Sequence, residues 1–153
     1  MRHRETSDGF VVEHDRGSAR FQRLAEGVSL TTYVGLARAR DIPPFRVEVE
    51  AWIRRGLRVA MFVDASALDA YETEFRREWT SWIAAHRASL EPTHMLFRSR
   101  IVELGVGIVN SLLGGVIVPH SRRGEFDQAI WLACRRATPG DAGGSGDREH
   151  RSA

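Results

Sequence analysis

Hydrophobic positions recur along this chain with two different periods. Phe10-Val11-Val12 is a short apolar run closed by Asp15-Arg16-Gly17, which predicts a strand ending in a turn. Residues 20–24 and 28–34 flank Ala25-Glu26-Gly27, the pattern of an antiparallel pair. In the second of these, Val28, Leu30, Thr32 and Val34 share one face by strict alternation. The period then lengthens. Asp41-Ile42-Pro43-Pro44 suits the first turn of a helix, where proline costs no hydrogen bond. Phe45, Val49, Trp52 and Ile53 follow at i, i+4, i+7 and i+8, one apolar stripe. Arg54 and Arg55 sit at the negative end of that helix, and Gly56 fits its C′ position.

The run 59–63, VAMFV, is apolar without alternation and predicts a strand covered on both faces. Asp69 with Glu72 three residues on predicts a capping box. The helix it opens has Tyr71, Phe75, Trp79, Trp82, Ile83 and His86 inward. Residues 93–97 form a further strand, Ser99 caps a helix over 100–113, and 116–118 is the last strand. Ser121 then caps a final helix whose stripe is Phe126, Ala129, Ile130, Ala133 and Cys134. After the first hairpins every crossover is helical, so the expected fold is a single α/β domain, a mixed β-sheet with four helices packed on it. The domain is placed at 9–137. Residues 1–8 and 138–153 are polar, the latter rich in glycine, and are expected to be disordered.

A length of 153 residues suits one such domain, and 42% apolar with 27% charged residues is ordinary for a globular chain. The formal charge is only +2 and the basic residues are scattered, which argues against a nucleic-acid partner. All 22 basic residues are arginine. That excludes a Walker A lysine, a Schiff-base lysine and the lysine of a receiver-type phosphorylation site. Cys134 is the only cysteine, so there is no intrachain disulfide, and its place on the final stripe reads as a buried inert thiol. No apolar segment follows the charges of MRHRETSDGF, and the expected location is cytoplasmic. The stretch 101–118 approaches the roughly 17–25 residues of a membrane span. Glu103, Asn110, Ser111, the Gly114-Gly115 pair and Pro119 read instead as a helix followed by a short strand, so no transmembrane segment is expected.

Candidate chemistry is sparse. His3, His14, His86, His94, His120 and His150 show no metal-ligand spacing, and His86 on an apolar helix face reads as a hydrogen-bonded core histidine. No Gly-x-Ser-x-Gly elbow is present. Gly105, Gly107, Gly114 and Gly115 make no dinucleotide fingerprint, and the first two are expected to let their helix approach the sheet closely. The expectation is therefore no catalytic constellation, no metal and no cofactor. Trp131, five residues after Phe126, points about 140° away from it at 3.6 residues per turn. It falls off the stripe and is a candidate interface anchor.

The element order, together with a buried strand ending in Asp64-Ala65-Ser66 ahead of a helix, resembles the STAS family over about residues 18–136. This is the domain shared by anti-sigma-factor antagonists and sulfate-transporter tails. Its members carry an Asp-Ser-Ser-Gly helix start, on which a partner kinase phosphorylates serine or threonine. Glu72 and Thr73 fall on the aspartate and the phosphoacceptor, while Glu74 and Phe75 replace the serine and glycine that follow. The resemblance implies a non-enzymatic, cytoplasmic protein-interaction module of signalling. Its site is Asp64, Ser66, Asp69 and Thr73, and its partner an anti-sigma-type kinase or a second copy of the chain. The unusually apolar helix 101–113 supports an alternative, a domain that binds lipid or a small apolar ligand; a homodimeric scaffold is the third reading.

Overall fold

The two periods resolve, in a computed structural model that describes residues 1–138, into one seven-stranded sheet and four α-helices. The strands are β1 (Arg2–Thr6), β2 (Gly9–His14), β3 (Gly17–Ala25), β4 (Val28–Ala37), β5 (Ala60–Tyr71), β6 (Thr93–Phe97) and β7 (Ile117–His120). The helices are α1 (Ile42–Arg54), α2 (Thr73–His86), α3 (Arg100–Leu113) and α4 (Arg123–Ala137). Spatial order equals sequence order, with β1 to β4 antiparallel and β4 to β7 parallel.

That order decides where the helices lie. Parallel crossovers are almost always right-handed, so a sheet growing one strand at a time in one direction puts every crossover helix on the same face. Phe45, Val49 and Trp52 of α1, Trp82 and Ile83 of α2, and Val102, Val106, Val109 and Leu113 of α3 accordingly share one core with Phe10, Phe21, Tyr33, Met61 and Ala65 of the sheet. Within it Phe10, Phe21 and Phe45 form a triangle of rings with centroids 5.2 to 5.9 Å apart. Burying each such side chain is worth roughly 1.5–3 kcal/mol. The opposite face is covered by α4 alone, whose Phe126 and Ala133 pack on Val28, Ala60, Phe62 and Leu96. The run 59–63 lies as expected in the interior of the sheet, between β4 and β6. Gly114, in the left-handed region at φ 71°, ends α3 where the sequence places its stop.

Five expectations need correction. Residues 2–6 of the N-terminal segment are strand β1, paired antiparallel with β2 from Arg2–Glu13 to Thr6–Gly9. Their side chains are mostly exposed, so backbone pairing holds the segment and no hydrophobic pattern announces it. β5 does not end near Asp64 but runs to Tyr71, because β4 is long enough to offer a ladder out to the Ala37–Tyr71 pair. Asp69 therefore lies in a strand and forms no capping box. Glu72 is the N-cap of α2, and its carboxylate accepts a hydrogen bond from the Ala39 amide (3.0 Å) while its own amide donates to the Ala37 carbonyl (3.0 Å). Tyr71 is consequently a strand residue and not part of the α2 stripe. The final helix begins at Arg123 with Arg122 as N-cap, since Ser121 precedes the turn. On β4 the larger core takes Ser29, Thr31 and Tyr33, whereas Val34 on the alternate face is exposed beyond the reach of α4. Of the expected C-terminal tail only Thr138, the C-cap of α4, lies within the described residues.

Candidate functional site

Because side chains alternate along a strand, β5 serves both faces of the sheet. Met61, Val63 and Ala65 point to the side of α1, α2 and α3, and Phe62, Asp64 and Ser66 to the side of α4. Two separate sites result.

On the α4 side, Asp64 is buried at 9% exposure. Its Oδ1 accepts hydrogen bonds from the Ser66 amide (3.0 Å) and the Ser66 hydroxyl (2.6 Å). Arg123, in the first turn of α4, donates to Asp64 Oδ2 (2.9 Å) and to Ser66 Oγ (3.0 Å). Burial pushes the Asp64 carboxyl up, but the Ser66 hydroxyl and amide and the Arg123 guanidinium together outweigh it and hold the group below its ordinary range. This cluster fastens α4 to the sheet. Next to it, His94 Nδ1 and His120 Nε2 are 2.8 Å apart, with His94 stacked on Phe62 and His120 edge-on to Phe126. Burial first, and then the charges of His120 and Arg136, keep His94 below the ordinary histidine value.

Of the residues singled out from the sequence, the structure brings Asp64 and Ser66 into contact. Asp69 is exposed further along β5, and Thr73 is exposed as the first residue of α2. Trp131 is 54% exposed, as the registry of α4 requires, with the Arg135 guanidinium 4.8 Å from its ring centroid. His86 stacks on Trp82 and its Nδ1 lies 2.9 Å from the Trp82 carbonyl. Cys134 is half-buried, and burial raises its thiol. Among the described residues no three of His, Cys, Asp or Glu are grouped so as to hold a metal ion. Arg123 was missed, since nothing local in a sequence links two residues 59 positions apart.

On the other side, a cavity of about 100 Å³ lies between the sheet and helices α2 and α3. Its floor is Met61, Val63 and Ala65 of β5, Ser29 and Thr31 of β4, and Thr93 and Met95 of β6. Its roof is Phe75 and Trp79 of α2 and Val102, Val106 and Val109 of α3. Tyr33 closes one end against Phe75 in an edge-on contact, rings 5.3 Å apart. Burial, with the charge of Asp41 added, drives the Tyr33 phenol well above its ordinary range and keeps it neutral. Gly105 of α3 lies directly on Tyr71, and a methyl group there would overlap the phenol. The outer face of α3 is itself apolar, with Ile101, Leu104, Ile108 and Leu112 all exposed. Sequence reasoning had only one signal for this site, the apolar character of α3 on both faces.

The fold places the chain among α/β domains with a SpoIIAA-like fold, which is also the fold of the STAS family. A crystal structure of an uncharacterized DUF3478-family protein with that fold from Shewanella loihica PV-4 superposes with a TM-score of 0.54 at 11% identity. The match covers 82% of this chain and 97% of the other. No protein-family model matches the chain, and no curated protein matches it. No helix among the described residues is long and apolar enough to cross a membrane.

Proposed function

We propose that this protein is a non-catalytic binding module whose ligand is a small apolar molecule held between the sheet and helices α2 and α3. The observation that carries this reading is the cavity of about 100 Å³ with its almost wholly apolar wall. Well-packed interiors leave few voids larger than a water molecule, and an apolar cavity of roughly 150 Å³ binds benzene, so a cavity of about 100 Å³ has to widen to take a ligand of that size or larger. The cavity is roofed by helices and not by strands, with Phe45 and Val49 of α1 completing its wall, so a ligand enters by a small outward shift of α2 or α3 without breaking the sheet ladder.

The test is calorimetric titration of the full chain with 1-octanol, alongside native mass spectrometry of the freshly purified protein. The expected result is saturable binding that Val63→Phe, which fills the floor of the cavity, abolishes while the circular dichroism spectrum is preserved. Octanol that fails to bind, or that binds equally to the filled variant, would sink the reading.

A second reading is a STAS-like docking module whose site is Asp64, Ser66, Asp69 and Thr73, the last two exposed, and whose protein partner is an anti-sigma-type kinase or a second copy. Two observations favour it: the exposure of Thr73 at the start of α2, and the exposed Trp131. A phosphate group at a helix N-terminus gains from the free amides and the dipole, although Glu72 and Glu74 oppose it. Phosphate found on Thr73 or Ser66 in cells is the observation this reading requires.

A further inference from the structure

One charged side chain stands in the wall of the apolar cavity. Arg76 of α2 is half-buried and lines it together with Phe75 and Trp79. Its neighbours on the same helix are neutralised: Arg77 pairs with Glu74 at 3.5 Å, and Glu78 is taken by Arg46 of α1 at 3.1 Å. Arg76 itself has no carboxylate within 4.0 Å among the described residues. Arg76 is thus a half-buried cation beside an apolar cavity with no carboxylate partner, and an anion that reaches it there completes a charge-assisted pair.

Resting on the apolar-ligand reading, we propose that the molecule held in the cavity is an amphipathic monocarboxylate. Its aliphatic chain lies between Met61, Val63, Val102 and Val106, and its carboxylate is on Arg76. The geometry of the head group follows from the guanidinium fork, which presents two parallel N–H donors to the two oxygens of a carboxylate. The charge follows from the helix. α2 and its N-cap carry Glu72, Glu74 and Glu78 against Arg76 and Arg77, and no second free cation of α2 lines the cavity. One negative charge is balanced there, and the dianion of a phosphate monoester is not.

The experiment compares octanoate with 1-octanol, which have the same number of carbons and differ in head group, on the full chain at neutral pH and low salt. Wild type is expected to bind octanoate about tenfold more tightly than octanol, a difference of ~1.4 kcal/mol. In Arg76→Gln the preference, read as the ratio of the two affinities in the same variant, should fall to about one. Equal affinity of wild type for the two compounds, or a preference that survives in Arg76→Gln, would overturn the head-group assignment and leave the apolar cavity standing. Binding of neither compound overturns both. Octyl phosphate bound more tightly than octanoate in an Arg76-dependent way would overturn the assignment to a monocarboxylate.

Discussion

His94 shows how a single side chain acquires a property from its surroundings. On its own it titrates near 6.5. In the fold it stacks on Phe62 and shares a 2.8 Å contact with His120, which needs a donor on one ring and an acceptor on the other. Protonating both rings sets two donors face to face. Burial and the charges of His120 and Arg136 therefore depress the folded value of His94 below the unfolded one. With the folded value depressed, the unfolded chain binds more protons in the window between the two, so stability rises with pH there. The contribution is complete above about pH 6.5 and is lost as pH falls through the folded value. Melting temperature should thus be flat above neutrality and drop on acidification below it. His94→Phe, which keeps an aromatic ring on Phe62, should flatten that slope between about pH 5 and 7. An unchanged slope would assign the acid sensitivity to other groups.

Helix α3 is the element in which sequence and packing part company most. Its two internal glycines look alike in the sequence, yet Gly105 is pressed against Tyr71 and Gly107 faces open space. A glycine in a helix interior costs about 1 kcal/mol relative to alanine, through backbone entropy. Gly107→Ala should recover most of that and raise the melting temperature by about 3 °C, near the ~2–4 °C per kcal/mol of a domain this size. Gly105→Ala should lower it, because the new methyl group forces Tyr71 or the whole helix outward. Thermal melts of the two variants side by side decide the matter. If both rise, the Tyr71 contact is not holding α3 to the sheet. The expectation that both glycines allow close approach is therefore right for Gly105 alone.

The whole molecule is a sheet with two edges, and the N-terminal edge is protected by the least core-like strand. β1 carries Arg2, Arg4 and Glu5 and buries almost nothing, whereas β2 behind it holds Phe10, Val11 and Val12 in the core. A charged outer strand is a common device against edge-to-edge pairing. Removing residues 1–7 should leave the melting temperature within a few degrees while baring the β2 edge. The truncated chain is expected to self-associate in light scattering at concentrations where the full chain stays monodisperse. A truncated chain that unfolds instead would mean β1 supplies stability and not protection. The other edge, β7, carries Pro119, which lacks an amide and is tolerated where no further strand has to pair.

Much of the architecture was legible along the chain because burial imposes a local period. The 3.6-residue stripe of Phe45, Val49 and Trp52, the unbroken VAMFV of the central strand and the Gly114 stop of α3 each depend on neighbours within a few residues. The same locality let the off-stripe position of Trp131 be read correctly. What tertiary structure alone decided involves partners far apart in sequence. The length of β5, and with it the position of Asp69 and the start of α2, was set by how much ladder β4 offers. The strand β1 exists because β2 has an unpaired edge, and backbone pairing leaves no mark on side-chain polarity. Asp64 gained Arg123 from 59 residues away, and Arg76 came to line an apolar cavity, only when separate helices were laid on one sheet. Hydrophobic periodicity specifies which way each element faces, but it does not specify what stands opposite. That is settled when the elements close over one another, and the candidate binding site lies in that closure.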